Sequence, residues 1–456
     1  MTKSSGYKDW KFSPEYLARS SMTLETALAR VPVYHPWKSL DPGPEYPVDV
    51  RFRALPALTK KDMRENFPAG LVPSDRDIDG GIARGEIQLV DTSGTTDDRV
   101  TNIWNQEWWD ASERASWKLN AVMARLTAGG HREAILVNPK NVGPRSDGAD
   151  LPMAERRLER FLYLNEKTDP LSWSGALQDR MVRELDEFRP AVLEANPSYL
   201  ARLSLHIART GRRVFQPGAI VFTYEYPARF HYRQIRRAFP GVPTISSYGT
   251  TETGYVFMEC EAGRLHQNTN FCRVDFEPFL PEHGGPHLGR ILVTPLNNPW
   301  NYLVRFDTGD IVRLEESGRC ACGRGSGLIL SAIAGRKVNL TLAPSGRLVT
   351  LLELDGVLGG LEGVSRYKLV QTGPAAYVLR LVCPPSEACR LSREAAQRLR
   401  GLYGPTAAVD VVLEEDIAPE VSGKYLLAQA AFPIDLEPYL DRSDLLPGAP
   451  AGRAVS

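Results

Sequence analysis

Short apolar runs alternate with segments of helical character over the first half of the chain. The runs read as strands, at 87–90, 134–138, 191–194, 220–227 and 242–245. Helical segments lie between them, over 107–126 and 180–188, and a shorter amphipathic helix is predicted at 24–31. Strands that alternate with helices in this way predict an α/β fold with a largely parallel sheet over 85–250.

Several of these strands are followed by polar residues. Ser93-Gly94-Thr95-Thr96 follows the first, and Tyr248-Gly249-Thr250-Thr251-Glu252 follows the last, while Glu225 lies at the end of the strand at 220–227. Ligands bind at the carboxyl ends of parallel strands, so we expect these residues to share a site. Gly94 permits a tight turn, and the neighbouring hydroxyl and N–H groups suit a phosphate. A Ser/Gly/Thr run on its own is equally typical of a plain surface loop.

The second half of the chain predicts two smaller elements. Strands at 288–295 and 302–306 indicate a small β subdomain that leads to Asp307-Thr308-Gly309-Asp310. An aspartate at the end of a strand can accept two hydroxyls of a ribose, although a T-G-D turn alone is common. Short strands and helices alternate over 347–433 and predict an α+β lobe, with Ser422-Gly423-Lys424 in one of its loops. The segment 302–306 is expected to be extended, as is the proline-bounded segment 32–36.

Composition narrows the class of protein without naming it. A length of 456 residues predicts two or three domains, and 43% apolar with 24% charged residues is ordinary for a globular protein. Lys plus Arg and Asp plus Glu both number 55, so no nucleic-acid or anionic-membrane partner is predicted. No apolar run is long enough for a membrane span, and the first residues lack a secretory signal. Six cysteines are too few for a disulfide scaffold, so reduced thiols and a cytoplasmic location are expected.

The polar motifs occur in a fixed order along the chain. The segments 93–96, 247–252 and 307–310 are followed by Gly335-Arg336 and then by Ser422-Gly423-Lys424. This ordered set resembles the acyl-adenylate-forming, AMP-binding enzymes, and most closely the phenylacetate–coenzyme A ligase family, over residues 24–432. The resemblance implies a large adenylate-forming N-terminal domain with parallel sheets over 1–336. It also implies a small mobile α+β C-terminal domain over 337–433, followed by a flexible tail over 434–456.

The same resemblance implies an activity and a role for each residue. ATP would activate a carboxylic acid, with an aryl acid favoured, as an acyl-adenylate that coenzyme A then converts to a thioester, with release of pyrophosphate and AMP. Lys424 would reach the α-phosphate and the acid, and Glu252 would hold Mg²⁺. Tyr248 would stack on or flank the adenine, and Asp310 and Arg336 would hold the ribose. The nucleotide-binding residues implied are Ser93, Gly94, Thr95, Thr96, Glu225, Tyr248, Gly249, Thr250, Thr251, Asp310 and Arg336. A homodimer is compatible with this assignment.

Four residues also offer a metal site. Cys260, His266, Cys320 and Cys322 supply three thiolates and one imidazole, a common structural zinc set, and some members of the resembled family bind zinc in this way. Cys272 is an alternative ligand. The other interpretation is a group of free, buried cysteines.

Departures from the family pattern leave alternatives open. Asp97 and Asp98 follow the threonines of the phosphate loop, and Val338 and Asn339 occupy the hinge, where the family usually has acidic residues. The stretch 138–165 also differs, and a charged helix is predicted there from Met153 to Phe161, so the acid is not identified. The adenylate could instead pass to an amine or a carrier-protein thiol, or the chain could be a catalytically degenerate member of the family.

Overall fold

The computed structural model describes residues 10–92 and 99–443. The chain divides into two compact units that are interleaved in sequence. The first unit comprises the chain up to residue 121, residues 248–332 and residues from 437 onward, and the second comprises 122–247 and 333–436. The predicted domain boundaries, at the hinge after residue 336 and at the start of the tail after residue 433, stay predictions.

Twelve α-helices lie within the described residues. They are α1 (Pro14–Arg30), α2 (Val48–Ala54), α3 (Lys60–Asn66), α4 (Ile78–Ala83), α5 (Gln106–Trp117), α6 (Ala121–Leu126), α7 (Met153–Arg156), α8 (Gly175–Phe188), α9 (Pro197–Thr210), α10 (Arg229–Ala238), α11 (Leu351–Leu358) and α12 (Ala388–Tyr403). None of them combines the length and apolar character needed to cross a bilayer.

The same residues form twenty β-strands. They are β1 (Gln88–Asp91), β2 (Thr101–Trp104), β3 (Glu133–Leu136), β4 (Arg157–Leu158), β5 (Phe161–Tyr163), β6 (Val192–Ala195), β7 (Ala219–Phe222), β8 (Thr244–Thr250), β9 (Gly254–Glu259), β10 (Leu265–Gln267), β11 (Cys272–Pro278), β12 (Leu288–Pro295), β13 (Phe306–Leu314), β14 (Ile329–Arg336), β15 (Thr341–Leu342), β16 (Leu348–Val349), β17 (Arg366–Gly373), β18 (Ala376–Val382), β19 (Ala408–Leu413) and β20 (Ala428–Ala430).

The second unit contains the predicted parallel sheet. Its strands run in the order β5-β3-β6-β7-β8, all parallel, with β4 antiparallel to β5 at the edge. The core joins strand residues Leu136, Leu193 and Phe222 to helix residues Leu185 and Leu203. Strands buried on both faces explain why the sequence shows apolar runs rather than alternation. The unit also holds the predicted α+β lobe, a four-stranded sheet β19-β18-β17-β20 that shares a core with α11 and α12.

The first unit contains antiparallel strands and the N-terminal helices. Strand β12 pairs with β11 and β13, and β10 pairs with β9 and β14, which confirms the predicted β subdomain. Thr59 caps α3, and Asp62 completes a capping box. The start of the predicted tail is anchored here, because Leu440 is buried and bridges Phe279. Residues 444–456 lie outside the described residues.

Four local predictions are wrong. Helix α1 begins at Pro14 behind a Ser13 cap, well before residue 24, because a proline in the first turn starts a helix readily. The same preference makes Pro32–Ser39 a 3-10 helix rather than an extended segment. The helix predicted over 107–126 is two helices, α5 and α6. The segment 302–305 precedes strand β13 and contains Arg305 with a left-handed φ of 53°.

The region that departs from the family pattern also differs from its prediction. A helix was expected from Met153 onward, but α7 ends at Arg156 and the chain enters the antiparallel pair β4 and β5. The Arg156 side chain is buried and forms ion pairs with Glu166 and Glu184. These partners lie far along the chain, so helical propensity alone does not set where the helix ends.

Candidate active site

The predicted phosphate loop is carried by a β-hairpin. Strands β1 and β2 pair antiparallel with Asp91 opposite Thr101, and the Thr101 hydroxyl donates to the Asp91 carboxylate at 2.8 Å. The Thr92 amide donates to the Val100 carbonyl at 2.9 Å and closes the base of the loop. The predicted strand is therefore present, but it is largely exposed rather than buried, since Leu89 keeps 46% of its surface. Ser93, Gly94, Thr95 and Thr96, with Asp97 and Asp98, lie outside the described residues.

Asn102 joins this hairpin to the second polar motif. Its side-chain amide donates to the Thr251 carbonyl at 3.0 Å, and its own oxygen accepts from Asn301 at 2.6 Å. Asn102 is buried, so its hydrogen bonds are shielded from water and keep a fixed geometry. The fold thus brings the hairpin on either side of residues 93–98, which lie outside the described residues, to the second polar motif, about 150 residues further along the chain.

Tyr248 and Asp310 also meet within the first unit. The Tyr248 hydroxyl donates to Asp310 Oδ2 at 2.8 Å and lies 3.4 Å from the Thr308 hydroxyl. The Thr308 hydroxyl accepts from the Asp310 amide at 3.2 Å, at the point in β13 where the register with β12 shifts. Thr308 and Asp310 are buried, and they lie within strand β13, whereas the sequence predicts the aspartate at the end of a strand. The side chains predicted to bind adenine and ribose are therefore in direct contact.

The polar motif lies inside strand β8 and its turn, rather than after the strand. Gly249 faces Gly254, and a Cβ at Gly249 would stand 2.3 Å from the Gly254 carbonyl oxygen. Only glycine permits this approach. The hydroxyls of Thr250 and Thr253 lie 3.0 Å apart across the turn.

Glu252 is set at the buried end of this turn. The residue is only 5% exposed, yet its carboxylate forms no hydrogen bond or ion pair with any residue in 10–92 or 99–443. A carboxylate that forms no such contact with the described residues keeps its oxygens available to a hard cation. The donor chemistry therefore fits the Mg²⁺ that accompanies a nucleotide triphosphate.

In the second unit, Glu225 follows strand β7. The preceding residue, Tyr224, has a left-handed φ of 71°, which is rare outside glycine and recurs at functional sites. Glu225 Oε2 accepts from the Ser198 hydroxyl at 2.6 Å, and Oε1 accepts from the Tyr425 amide. Burial raises the pKa of the Glu225 carboxyl, while those two donors and the charge of Lys424 oppose the rise.

Lys424 belongs to the same unit and lies in a hydrogen-bonded loop. Its amide lies 3.4 Å from the Ser422 hydroxyl, and its carbonyl accepts from the Glu420 amide at 2.8 Å. Gly423 has a φ of 81° and closes the turn. Arg336 ends strand β14, and the hinge position Asn339 is buried and donates to the Ala428 carbonyl at 3.1 Å.

Four side chains of the first unit form the predicted metal site. The ligand atoms of Cys260, His266, Cys320 and Cys322 all lie within 4.8 Å of one another. The Cys260 and Cys320 sulfurs are 3.6 Å apart, and Cys322 Sγ lies 3.3 Å from His266 Nε2. His266 Nδ1 is buried without a hydrogen-bond partner within the part of the chain that the structure describes.

The donor set fits zinc. Three sulfurs and one imidazole are its usual structural ligands, and burial lowers the pKa of His266 to about 4, which keeps the imidazole neutral for binding. Burial raises the pKa of Cys260 to about 11, and a bound cation would lower that pKa again by stabilising the thiolate. Cys272 is not a ligand, because its thiol lies against the Asn268 carbonyl at 3.4 Å.

Sequence reasoning missed four polar residues that organise these clusters. They are Asn102, Asn138, Ser198 and His231. Asn138 and Ser198 lie just beyond the ends of β3 and β6, so the rule that parallel strands carry function at their carboxyl ends could have found them. His231 gives no such signal, because it lies inside helix α10.

Two curated proteins resemble the chain in sequence. Phenylacetate-coenzyme A ligase of Thermus thermophilus is 24% identical over 330 residues, which is 69% of this chain and 68% of that protein. The enzyme of the same name from Escherichia coli is 23% identical over 316 residues, 65% of each chain. These matches confirm the resemblance that the ordered motifs predict. No family model matches the chain.

Solved structures share the fold. 2-Hydroxyisobutyryl-CoA ligase in complex with 2-HIB-AMP superimposes with a TM-score of 0.66 at 18% identity, over 92% of this chain and 88% of that chain. The same enzyme with R3-HIB-AMP gives a TM-score of 0.67 at 17% identity, over 91% of this chain and 88% of that chain. The predicted fold class, that of the adenylate-forming CoA ligases, is confirmed.

Proposed function

We propose that this protein is an AMP-forming acid–thiol ligase that activates a carboxylic acid with ATP and transfers the acyl group to coenzyme A. The observation that carries the proposal is the Asn102–Thr251 contact, which joins the phosphate-loop hairpin to the segment ending in Glu252, a carboxylate with no partner among residues 10–92 and 99–443. Phenylacetate ligases are the sequence relatives, so an aryl acid is the first substrate class to test.

The first half-reaction joins two anions. A carboxylate oxygen of the acid attacks the α-phosphorus of ATP, the bond to the β-phosphate oxygen breaks, and pyrophosphate leaves. The site must supply positive charge and fixed donors where negative charge develops. Lys424 would stabilise that charge, and Mg²⁺ held by Glu252 would neutralise the phosphates. Asp310, Tyr248 and Arg336 would orient the nucleoside.

The second half-reaction uses the activated acyl group. The thiolate sulfur of coenzyme A attacks the acyl carbon, the carbon–oxygen bond to AMP breaks, and AMP leaves with both electrons of that bond. The thiol proton goes to solvent or to a phosphate oxygen of AMP. The family changes conformation between the two half-reactions, so the altered hinge at Val338 and Asn339 would affect this second step.

A structural zinc ion is part of the proposal. Cys260 and His266 flank the turn between β9 and β10, while Cys320 and Cys322 lie in the loop after β13. Zinc would tie these two loops together within the β subdomain, which stabilises loops that have little apolar core. A homodimer stays a prediction.

The test is ATP–pyrophosphate exchange with a panel of aryl and short-chain acids and no thiol. We expect exchange that depends on one class of acid and is lost in Lys424→Ala. Lys61→Ala is the matched control, because Lys61 is an exposed lysine whose nearest carboxylate, on Glu65, is 3.9 Å away. Absence of exchange with every acid, with ATP still bound, would support the degenerate alternative instead.

The acyl acceptor is tested separately. Once an active acid is known, consumption of coenzyme A thiol should match AMP release one to one. Hydroxylamine trapping without thiol consumption would redirect the second step to an amine or a carrier protein.

A further inference from the structure

Residues that follow the parallel strands β3, β6 and β7 connect by hydrogen bonds to the loop that carries Lys424. After β3, Asn138 donates to the Tyr199 hydroxyl at 2.7 Å, and that hydroxyl donates to the Gly423 carbonyl at 3.2 Å. After β7, Glu225 accepts the amide of Tyr425. The residues on both sides of Lys424 are thus held by Tyr199 of helix α9 and by Glu225, all within the second unit.

Glu225 is itself held from behind by two buried residues. His231 Nδ1 lies 3.1 Å from the Ala228 amide, which can only donate, so Nδ1 accepts and the proton resides on Nε2. Nε2 lies 3.2 Å from the Ser198 hydroxyl and donates to it. The Ser198 proton is then directed at Glu225 Oε2, 2.6 Å away. His231 and Ser198 each accept one hydrogen bond and donate one, and Glu225 accepts at both oxygens, which fixes the carboxylate in one orientation.

This order of bonds is not that of a hydrolytic triad. In a triad the histidine accepts the serine proton and a carboxylate orients the histidine. Here the histidine donates to the serine, and the serine donates to the carboxylate. The serine therefore has no base to make it a nucleophile, and the whole relay ends on Glu225.

We propose that Glu225, oriented by Ser198 and His231, is a positioning residue that holds the Lys424 loop in place through the Tyr425 amide. Each carboxylate oxygen accepts a protein donor, and one of these donors is the amide next to Lys424, so the contacts of Glu225 are directed at the loop. The inference rests on the proposed function, which gives Lys424 its role, but the contacts that hold the loop can be tested without it.

The primary experiment measures amide hydrogen exchange in the full-length protein. In wild type the Tyr425 amide is expected to be protected by Glu225. Glu225→Gln leaves one accepting oxygen, so one of the two donors then faces an NH₂ group, and Ser198→Ala removes the donor that orients the carboxylate. We expect both variants to speed exchange at Tyr425 by about tenfold, as for a lost hydrogen bond to a charged group.

Ser204→Ala is the matched control. Ser204 lies in the same helix α9 and is fully buried, but its hydroxyl has no hydrogen-bond partner among the residues that the structure describes. It should leave exchange at Tyr425 unchanged, so a general loosening of α9 would be recognised. Unchanged exchange at Tyr425 in both Glu225→Gln and Ser198→Ala would overturn the proposal.

A kinetic readout separates positioning from binding. In pyrophosphate exchange, Glu225→Gln should lower kcat about tenfold with the KM for ATP unchanged. A raised KM for ATP at unchanged kcat would make Glu225 a nucleotide or metal ligand and would also overturn the proposal. If the wild type shows no pyrophosphate exchange at all, the proposed function fails, whereas amide exchange at Tyr425 still decides whether Glu225 holds the loop.

Discussion

Replacing Gly423 by alanine should displace the Lys424 loop and destabilise the second unit. Gly423 has a φ of 81°, and a Cβ there would stand 1.9 Å from Asn138 Nδ2. Asn138 cannot retreat freely, because this nitrogen donates to the Thr168 carbonyl at 2.9 Å and to the Tyr199 hydroxyl at 2.7 Å. The substitution therefore combines backbone strain with the loss of two buried hydrogen bonds.

The magnitude follows from these two causes. A left-handed residue with a side chain costs about 1–2 kcal/mol, and each lost hydrogen bond costs about 1 kcal/mol. The sum is a loss of about 3–4 kcal/mol in the free energy of unfolding. Because Gly423 precedes Lys424, pyrophosphate exchange should also fall by more than about tenfold.

Gly346→Ala measures the backbone strain alone, without a steric contact like that between Gly423→Ala and Asn138. Gly346 has a φ of 83°, lies in the same unit, and has no atom within 4 Å of the position of an added Cβ. Urea unfolding should show a loss of only about 1–2 kcal/mol for this variant. In an Asn138→Ala background, Gly423→Ala should cost no more than Gly346→Ala does. Equal losses for the two single glycine variants would refute the reasoning.

Three further outcomes are expected. Metal analysis of purified protein should find one zinc ion per chain. Cys320→Ser should lower both zinc content and Tm, while Cys389→Ser, at an exposed cysteine, should change neither. Wild-type protein that is equally stable without zinc would contradict the site. Burial raises the pKa of Glu133 from 4.5 to about 7. The fold therefore favours the protonated form, and the stability of wild type relative to Glu133→Gln should fall by about 3 kcal/mol between pH 4.5 and pH 7 and then level off, as urea unfolding would show; a flat difference would contradict this. Tyr248→Phe removes the donor to Asp310 and should cost about 1.5–3 kcal/mol of unfolding free energy in the same assay, whereas a loss below about 0.5 kcal/mol would show that water replaces the hydroxyl.

The parts of the fold that the sequence predicts are those set by local pattern. The parallel sheet follows from apolar runs at regular intervals. Gly423 and Lys424 are recognised because a loop between apolar stretches carries a motif in a fixed order. In each case the signal lies within a few residues.

The remaining features depend on partners far away in the chain. Helix α7 stops at Arg156 because that side chain is drawn into a buried pair with Glu184, 28 residues later. The Ser198–His231 bond spans 33 residues, and the bond from Tyr425 to Glu225 spans 200. Local propensity contains no information on such pairs, so the relay behind Glu225 is visible only once the strands are placed.

The interleaving of the two units has a consequence for synthesis on the ribosome. The cluster of apolar residues on the N-terminal helices, which includes Leu24 and Phe52, is completed by Leu303, Val304 and Phe306. After residue 121 has been made, roughly 180 more must follow before that core can close, which takes on the order of 10–40 s at about 5–20 residues per second. The nascent N-terminal helices thus expose apolar surface throughout this interval, while the core of the parallel sheet, confined to 134–239 apart from Tyr425, can already assemble. We expect nascent-chain chaperones to bind the N-terminal segment in preference to the sheet.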